Sequence, residues 1–157
     1  MLSNDYIVGL VDGEGSFTVY VKNPDSTKKT KRRVKVEPRF YIKLIEKDKD
    51  ILYELKRFFD CGNVYLQKDP RPNHTDCYRF EVNKKEDIFN KIIPFFEKNP
   101  PKIESRKRDF ELFKQISKLS RQNILDKEKI KLLKQEMHWG LAVYGKTVRT
   151  VGNQVTL

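Results

Sequence analysis

Two stretches of alternation constrain this chain more than anything else in it. In residues 16–22, Phe17, Val19 and Val21 fall on one side, and Ser16, Thr18, Tyr20 and Lys22 on the other. Residues 34–44 repeat the pattern. Val34, Val36, Phe40, Ile42 and Leu44 oppose Lys35, Glu37, Arg39, Tyr41 and Lys43, with Arg33 continuing the polar series. A period of two is that of a strand with one buried face. The intervening 23–33 is polar and very basic, carries Pro24, Asp25 and Ser26 as turn chemistry, and reads as a hairpin loop. Pro38 predicts an edge position or a bulge, because proline has no N–H for a ladder.

A second strand pair is predicted at 63–68 and 75–83, joined by a loop with Pro70, Pro72 and Asn73. Its apolar positions are Val64 and Leu66, then Tyr78, Phe80 and Val82. Helical spacing takes over at 48–60, with Cys61-Gly62 closing the segment, and again at 85–98, where Pro94 should kink or shorten it. Pro100-Pro101 is a break, followed by predicted helices at 105–119 and 127–137. An opening helix begins near Asp5, capped by Ser3 or Asn4, and should end at Gly13 and Gly15. Strand pairs punctuated by helices indicate an α+β fold with an antiparallel sheet and C-terminal helices. We expect one domain over 1–137 and a tail of uncertain structure over 138–157.

Charge narrows the partner. The chain has 33 Lys+Arg against 22 Asp+Glu, a formal charge of +11. Such a bias favours a nucleic acid or an anionic membrane surface, although a soluble protein can be basic without either. No apolar stretch reaches the length of a membrane span, and the first residues lack the features of a signal peptide, so no membrane partner is expected. Cys61 and Cys77 are too few for a zinc site and read as free thiols. His74 and His138 are isolated. Both strand pairs carry one apolar face and one polar, basic face. The polar faces read either as ordinary solvated surface or as a ribbon that enters the major groove of DNA.

The opening helix is unusual. In Tyr6-Ile7-Val8-Gly9-Leu10-Val11-Asp12-Gly13-Glu14-Gly15, Gly9 and Gly13 are four apart and share a face. Each costs about 1 kcal/mol relative to alanine in a helix. Close approach of another backbone, such as the same helix of a second copy, offsets that cost; packing within the chain is the alternative. Acids ending two such helices would meet near a two-fold axis and repel unless a cation lay between them. Magnesium, a hard cation with oxygen ligands, suits that place and can assist phosphodiester hydrolysis. Asp12 and Glu14 can equally be turn acids.

Residues 7–15 closely resemble the nine-residue signature of the LAGLIDADG homing endonucleases. The resemblance continues through Ser16-Phe17, Pro38-Arg39-Phe40 leading into Ile45-Glu46-Lys47-Asp48, Gly62-Asn63-Val64, and Arg106-Lys107-Arg108 before Asp109-Phe110. It covers roughly residues 4–119. It implies an αββαββα core with a four-stranded antiparallel, saddle-like sheet. One copy of the signature implies a homodimer that cuts a long, partly palindromic DNA site with Mg²⁺ or Mn²⁺. The first helix would be the dimer interface, through Tyr6, Gly9, Leu10 and Gly13. Glu14 matches the metal-binding acid, the Gly13 carbonyl a second ligand, and Asp12 a structural acid at the helix end. Glu46 falls where a polar residue orders the catalytic water. Lys102, Arg106 and Lys107 compete for the basic residue that stabilises phosphate charge.

The DNA-facing set would be Ser16, Thr18, Tyr20, Lys22, Arg33, Lys35, Glu37, Arg39, Tyr41 and Lys43, with Tyr65, Gln67, Arg71, Cys77, Arg79 and Glu81 from the second hairpin. An intron RNA-splicing maturase, or a DNA binder that does not cut, is the alternative on the same scaffold. The family is often encoded in introns of organelles, which would place the protein in a chloroplast or mitochondrion, or otherwise in a prokaryotic cytoplasm.

Overall fold

The structure, a computed structural model, describes residues 1–22, 35–68, 75–122 and 126–137. The basic loop, Arg33, Val34, the loop containing Pro70, Arg71 and Pro72, and the tail lie outside the described residues.

The elements run α1 (Asn4–Glu14), β1 (Gly15–Lys22), β2 (Lys35–Ile45), α2 (Lys49–Phe59), β3 (Asn63–Gln67), β4 (Cys77–Val82), α3 (Lys85–Asp87), α4 (Ile93–Lys98), α5 (Glu104–Leu119) and α6 (Lys127–Glu136). A 3₁₀ turn at Glu46–Asp48 leads into α2, and a π-turn at Ile88–Ile92 joins α3 to α4. The four strands form one antiparallel sheet in the order β1-β2-β4-β3. The chain is therefore α+β, as its alternation predicts.

Burial follows the alternation. Phe17 and Val19 of β1, Val36, Phe40 and Ile42 of β2, and Phe80 and Val82 of β4 all lie in the core. The helices cover this face with Ile7, Val11, Leu52, Leu55, Phe96, Phe110 and Phe113. Phe17 sits at the centre, its ring centroid 5.1 to 5.5 Å from those of Phe40, Phe96, Phe110 and Phe113. Truncating such a buried ring typically costs about 3–5 kcal/mol.

Several local expectations are met with a twist. Pro38 lies in β2 opposite Val19, beyond the Phe40–Ile45 stretch that pairs with β4. There β2 has one sheet neighbour, so proline is tolerated without a bulge. Ser3 caps α1, its Oγ accepting from the Tyr6 N–H at 3.2 Å. Gly13 does not end the helix: α1 continues through Glu14 and passes directly into β1. Gly15 makes that sharp passage possible, because a Cβ there would lie 2.8 Å from the Val11 Cα and carbonyl oxygen. Pro94 neither breaks nor shortens its helix. The missing N–H and the ring clash are absorbed by the π-turn just before it. Leu66, expected to be buried, is exposed, because β3 is an edge strand where the helical cover thins.

Candidate nucleic-acid interface and cleavage site

The register brings the polar positions together. Ser16 faces Tyr41, which faces Glu81, which faces Asn63. Lys43 faces Arg79, which faces Tyr65. Thr18 faces Arg39, Tyr20 faces Glu37, and Lys22 faces Lys35. Cys77 faces Gln67. Every predicted DNA-facing residue within the described strands thus belongs to the sheet face opposite the core. Asn63 and Asn83 belong with them and were missed; the continued alternation before Tyr65 and after Glu81 was the available signal.

The centre of this face is a charge network. Glu81 is only 5 % exposed. Its Oε1 accepts from Arg39 Nη1 at 3.1 Å and Asn83 Nδ2 at 3.3 Å. Its Oε2 accepts from the Tyr65 hydroxyl at 3.0 Å and lies 2.5 Å from Arg79 Nη2. Arg39 also donates to Glu37 at 3.2 Å. Two aromatic rings complete the set: the Arg79 guanidinium lies 3.7 Å from the Tyr41 ring centroid and that of Arg39 4.6 Å from Tyr20. Burial works against the Arg39 charge, but the hydrogen bond to Glu37 and the charges of Glu81 and Glu37 prevail and hold its pKa above the ordinary value. Burial, then the hydrogen bond to Glu81, raises the Tyr65 phenol and keeps it a donor.

Around this centre lie exposed Tyr20, Lys35 and Tyr65, and half-buried Ser16, Thr18, Tyr41, Lys43, Gln67 and Cys77. The two cysteines are free, as expected. Burial, aided by the Asp87 charge, pushes the Cys61 thiol up to about 11, so it is not a nucleophile at neutral pH.

The two acids of the opening motif separate cleanly. The Asp12 carboxylate accepts from the Lys102 N–H at 3.0 and 3.2 Å and from the Ile103 N–H at 3.3 Å. Ile103 is the N-cap of α5 and offers no side-chain acceptor of its own. Asp12 therefore joins the end of α1 to the start of α5, a structural role. Glu14 is exposed at the C-terminal end of α1 and makes no hydrogen bond or ion pair among the described residues. That end carries the negative pole of the helix dipole, and no basic residue occupies the last turn. An acid there is unfavourable until a cation arrives. The Gly13 carbonyl belongs to the same last turn, whose carbonyls lack helical donors. A carboxylate and a carbonyl are hard oxygens, the donor type that magnesium or manganese prefers. Among the described residues no group of three His, Cys, Asp or Glu side chains gathers as a metal site.

The remaining candidates are spread out. Glu46 follows Ile45 in the 3₁₀ turn, 64 % exposed and 3.5 Å from Lys49. Gly15 pairs with Ile42, so Glu46 stands four residues beyond that level, about 13 Å along the strand. Lys102 and Lys107 are exposed and line one shallow groove with Asp5, Val8 and Glu104. Arg106 differs. It is half-buried, its Nε is enclosed without a hydrogen-bond partner, and Nη1 lies 4.0 Å from the buried Asp109 carboxylate.

The exposed face of α1 carries Tyr6, Gly9 and Gly13, with Leu10 half-buried beside them. Among the described residues a Cβ at Gly9 or Gly13 would meet nothing within 4 Å. Packing among those residues therefore does not account for these glycines.

Comparison with known proteins agrees with this picture. A family model described as LAGLIDADG endonuclease matches residues 7–117. A probable intron-encoded DNA endonuclease 1 of Mycosarcoma maydis is 35% identical over 112 residues, 71% of this chain and 35% of that protein. Homing endonuclease I-ApeII of Aeropyrum pernix is 30% identical over 115 residues, 73% of this chain and 62% of that one. This chain thus spans less than two thirds of either relative. Among solved structures, the homing endonuclease I-TnaI has a TM-score of 0.70 at 38% identity, covering 87% of this chain and 88% of its own. I-SmaMI bound to an uncleaved DNA target with calcium ions has a TM-score of 0.72 at 29% identity, covering 88% of this chain and 45% of its own. From the matched signature, the sheet and these relatives, the chain belongs to the LAGLIDADG endonuclease family.

Proposed function

We propose that this chain is one subunit of a site-specific homing endonuclease, a homodimer that hydrolyses phosphodiester bonds in both strands of a long, partly palindromic DNA site. The observation that carries this reading is the sheet face opposite the core, where hydrogen-bonding and basic side chains are in register and where Glu14, without a partner among the described residues, ends α1 just before β1. A two-stranded ribbon fits the major groove, where each base pair shows a distinct donor and acceptor pattern. Relatives described as DNA endonucleases, and one bound to DNA, support it.

Glu14 and the Gly13 carbonyl would hold Mg²⁺ or Mn²⁺ together with phosphate oxygens and the second copy of the motif. When bound, such a cation supplies charge stabilisation to the reacting phosphate and makes water more acidic. The chain's own residues do the rest. The sheet fixes the duplex, Glu46 orients water by hydrogen bonding, and a basic side chain offsets phosphate charge. Of Lys102, Arg106 and Lys107, Arg106 is the best fixed, since Asp109 and its half-buried setting restrict it. The dimer would form along Tyr6, Gly9, Leu10 and Gly13. The chain matches 88% of I-TnaI and 45% of I-SmaMI, shares that fit one such unit and about half of a longer chain.

The test is a cleavage selection on a randomised, partly palindromic duplex library with Mg²⁺, with Ca²⁺, and with Glu14→Gln. We expect Mg²⁺-dependent cutting at one enriched site, lost by at least a hundredfold in the variant while binding and dimer mass persist. Cutting retained by Glu14→Gln overturns the metal assignment. Enrichment by binding without cutting moves the reading to a non-cleaving DNA binder, or to a splicing maturase if intron RNA is bound instead.

A further inference from the structure

Glu81 is out of place on a surface meant for a polyanion. A base-reading carboxylate must be reachable by a cytosine amino group. This one is 5 % exposed. A carboxylate has about four acceptor sites. Arg39 and Asn83 donate to Oε1 and Tyr65 to Oε2, and the Arg79 guanidinium lies against Oε2 as an ion pair at 2.5 Å. Buried and held by four neighbours, the carboxylate is not offered to a base.

We propose instead that Glu81 is a positioning residue that holds the Arg39 guanidinium in place to read guanine, with Arg79 as its buried counter-charge. The proposal rests on the DNA reading above. Arg39 and Arg79 flank the Tyr41–Glu81 pair diagonally, on neighbouring strands and two positions to either side. Arg79 is buried beneath the network and stacked on Tyr41, so it neutralises Glu81 without being presented. Arg39 is the reachable partner, its side chain 26% exposed. Glu81 takes one N–H from Nη1 and Glu37 one from Nη2, while the Tyr20 ring lies along the guanidinium. Each terminal nitrogen keeps a second N–H, the pair that guanine O6 and N7 accept together. An arginine fixed on two sides loses little freedom when it binds, which sharpens discrimination. The two arginines and two glutamates also cancel in charge, so affinity falls to the surrounding lysines and base choice to the centre.

The test is selection by binding from a randomised duplex pool in Ca²⁺, comparing the full chain with Arg39→Gln and Glu81→Gln. Thermal unfolding runs alongside. We expect the unmodified chain to recover a motif with a guanine in each half-site whose preference vanishes in Arg39→Gln. Glu81→Gln should lose roughly tenfold or more of the discrimination at that same position and keep the rest of the motif. Its binding to unselected random duplex should strengthen, because an acid has left the face. If Glu81→Gln fails to fold, Glu81→Gln with Arg79→Gln removes both buried charges together and must show the same single-position loss. An unchanged guanine preference in the folded variant overturns the proposal. So does a motif weakened uniformly at every position, which marks a merely structural role. A motif with no guanine sensitive to Arg39→Gln also overturns it while leaving the DNA reading intact. Recovery of no motif by the unmodified chain overturns both.

Discussion

At the scale of the residue, the two acids of the opening motif do different work although they are two positions apart. Asp12 spends its carboxylate on two backbone N–H groups some ninety residues away. Glu14 spends its carboxylate on nothing among the described residues. Stability and activity should therefore separate between them. Asp12→Ala is expected to lower stability by about 1–2 kcal/mol, the usual cost of losing a side-chain cap with charged character. Its urea midpoint should fall with an unchanged slope. Glu14→Gln should leave the midpoint in place or raise it, since it removes a negative charge from the negative end of α1. Spacing alone presents these acids as a pair, and only the family resemblance gave them separate roles. What separates them is a contact with Lys102 and Ile103 that no local pattern encodes. The same holds for Glu81, which looks like one more polar position in an alternating strand. Its burial comes from long neighbours on β2 and β3 folding over it.

At the scale of the element, what was legible was whatever has a period. The strands could be read from the alternation of Phe17 to Val21 and Val36 to Leu44, and the helices from the spacing of Leu52, Leu55 and Phe59 or of Phe110, Phe113 and Ile116. What was not legible was how a helix accommodates a breaker. Pro94 promises a kink, and a π-turn absorbs it because Ile88 and Ile92 stay anchored in the core. The glycines of α1 make a paired prediction. Gly15→Ala sets a Cβ against the Val11 backbone and is expected to destabilise by about 1–3 kcal/mol. Gly9→Leu meets open space among the described residues and should leave the unfolding of the monomer nearly untouched. If α1 is the dimer seam, that variant halves the mass seen in sedimentation. An unchanged mass places the seam elsewhere.

At the scale of the whole molecule, charge and architecture divide the labour. The formal charge of +11 is spread over the chain, while the described centre of the polar face is balanced. Affinity for DNA should then be mostly counterion release. For 6–10 phosphate contacts, binding should weaken by roughly 10³ to 10⁵ between 50 and 200 mM salt. A flat salt titration would argue that the basic residues are not at the interface. An open sheet with uncovered edges carries a hazard that the fold also addresses. The Val19 carbonyl of β1 accepts from Lys134 Nζ, on α6. Burial lowers the pKa of that lysine, a cost the arrangement accepts. Since β1 is an edge strand, a cation planted on it deters the next molecule from adding a strand of its own. The last described helix thus sets a positive charge at the rim of the sheet, where an incoming strand would have to displace it.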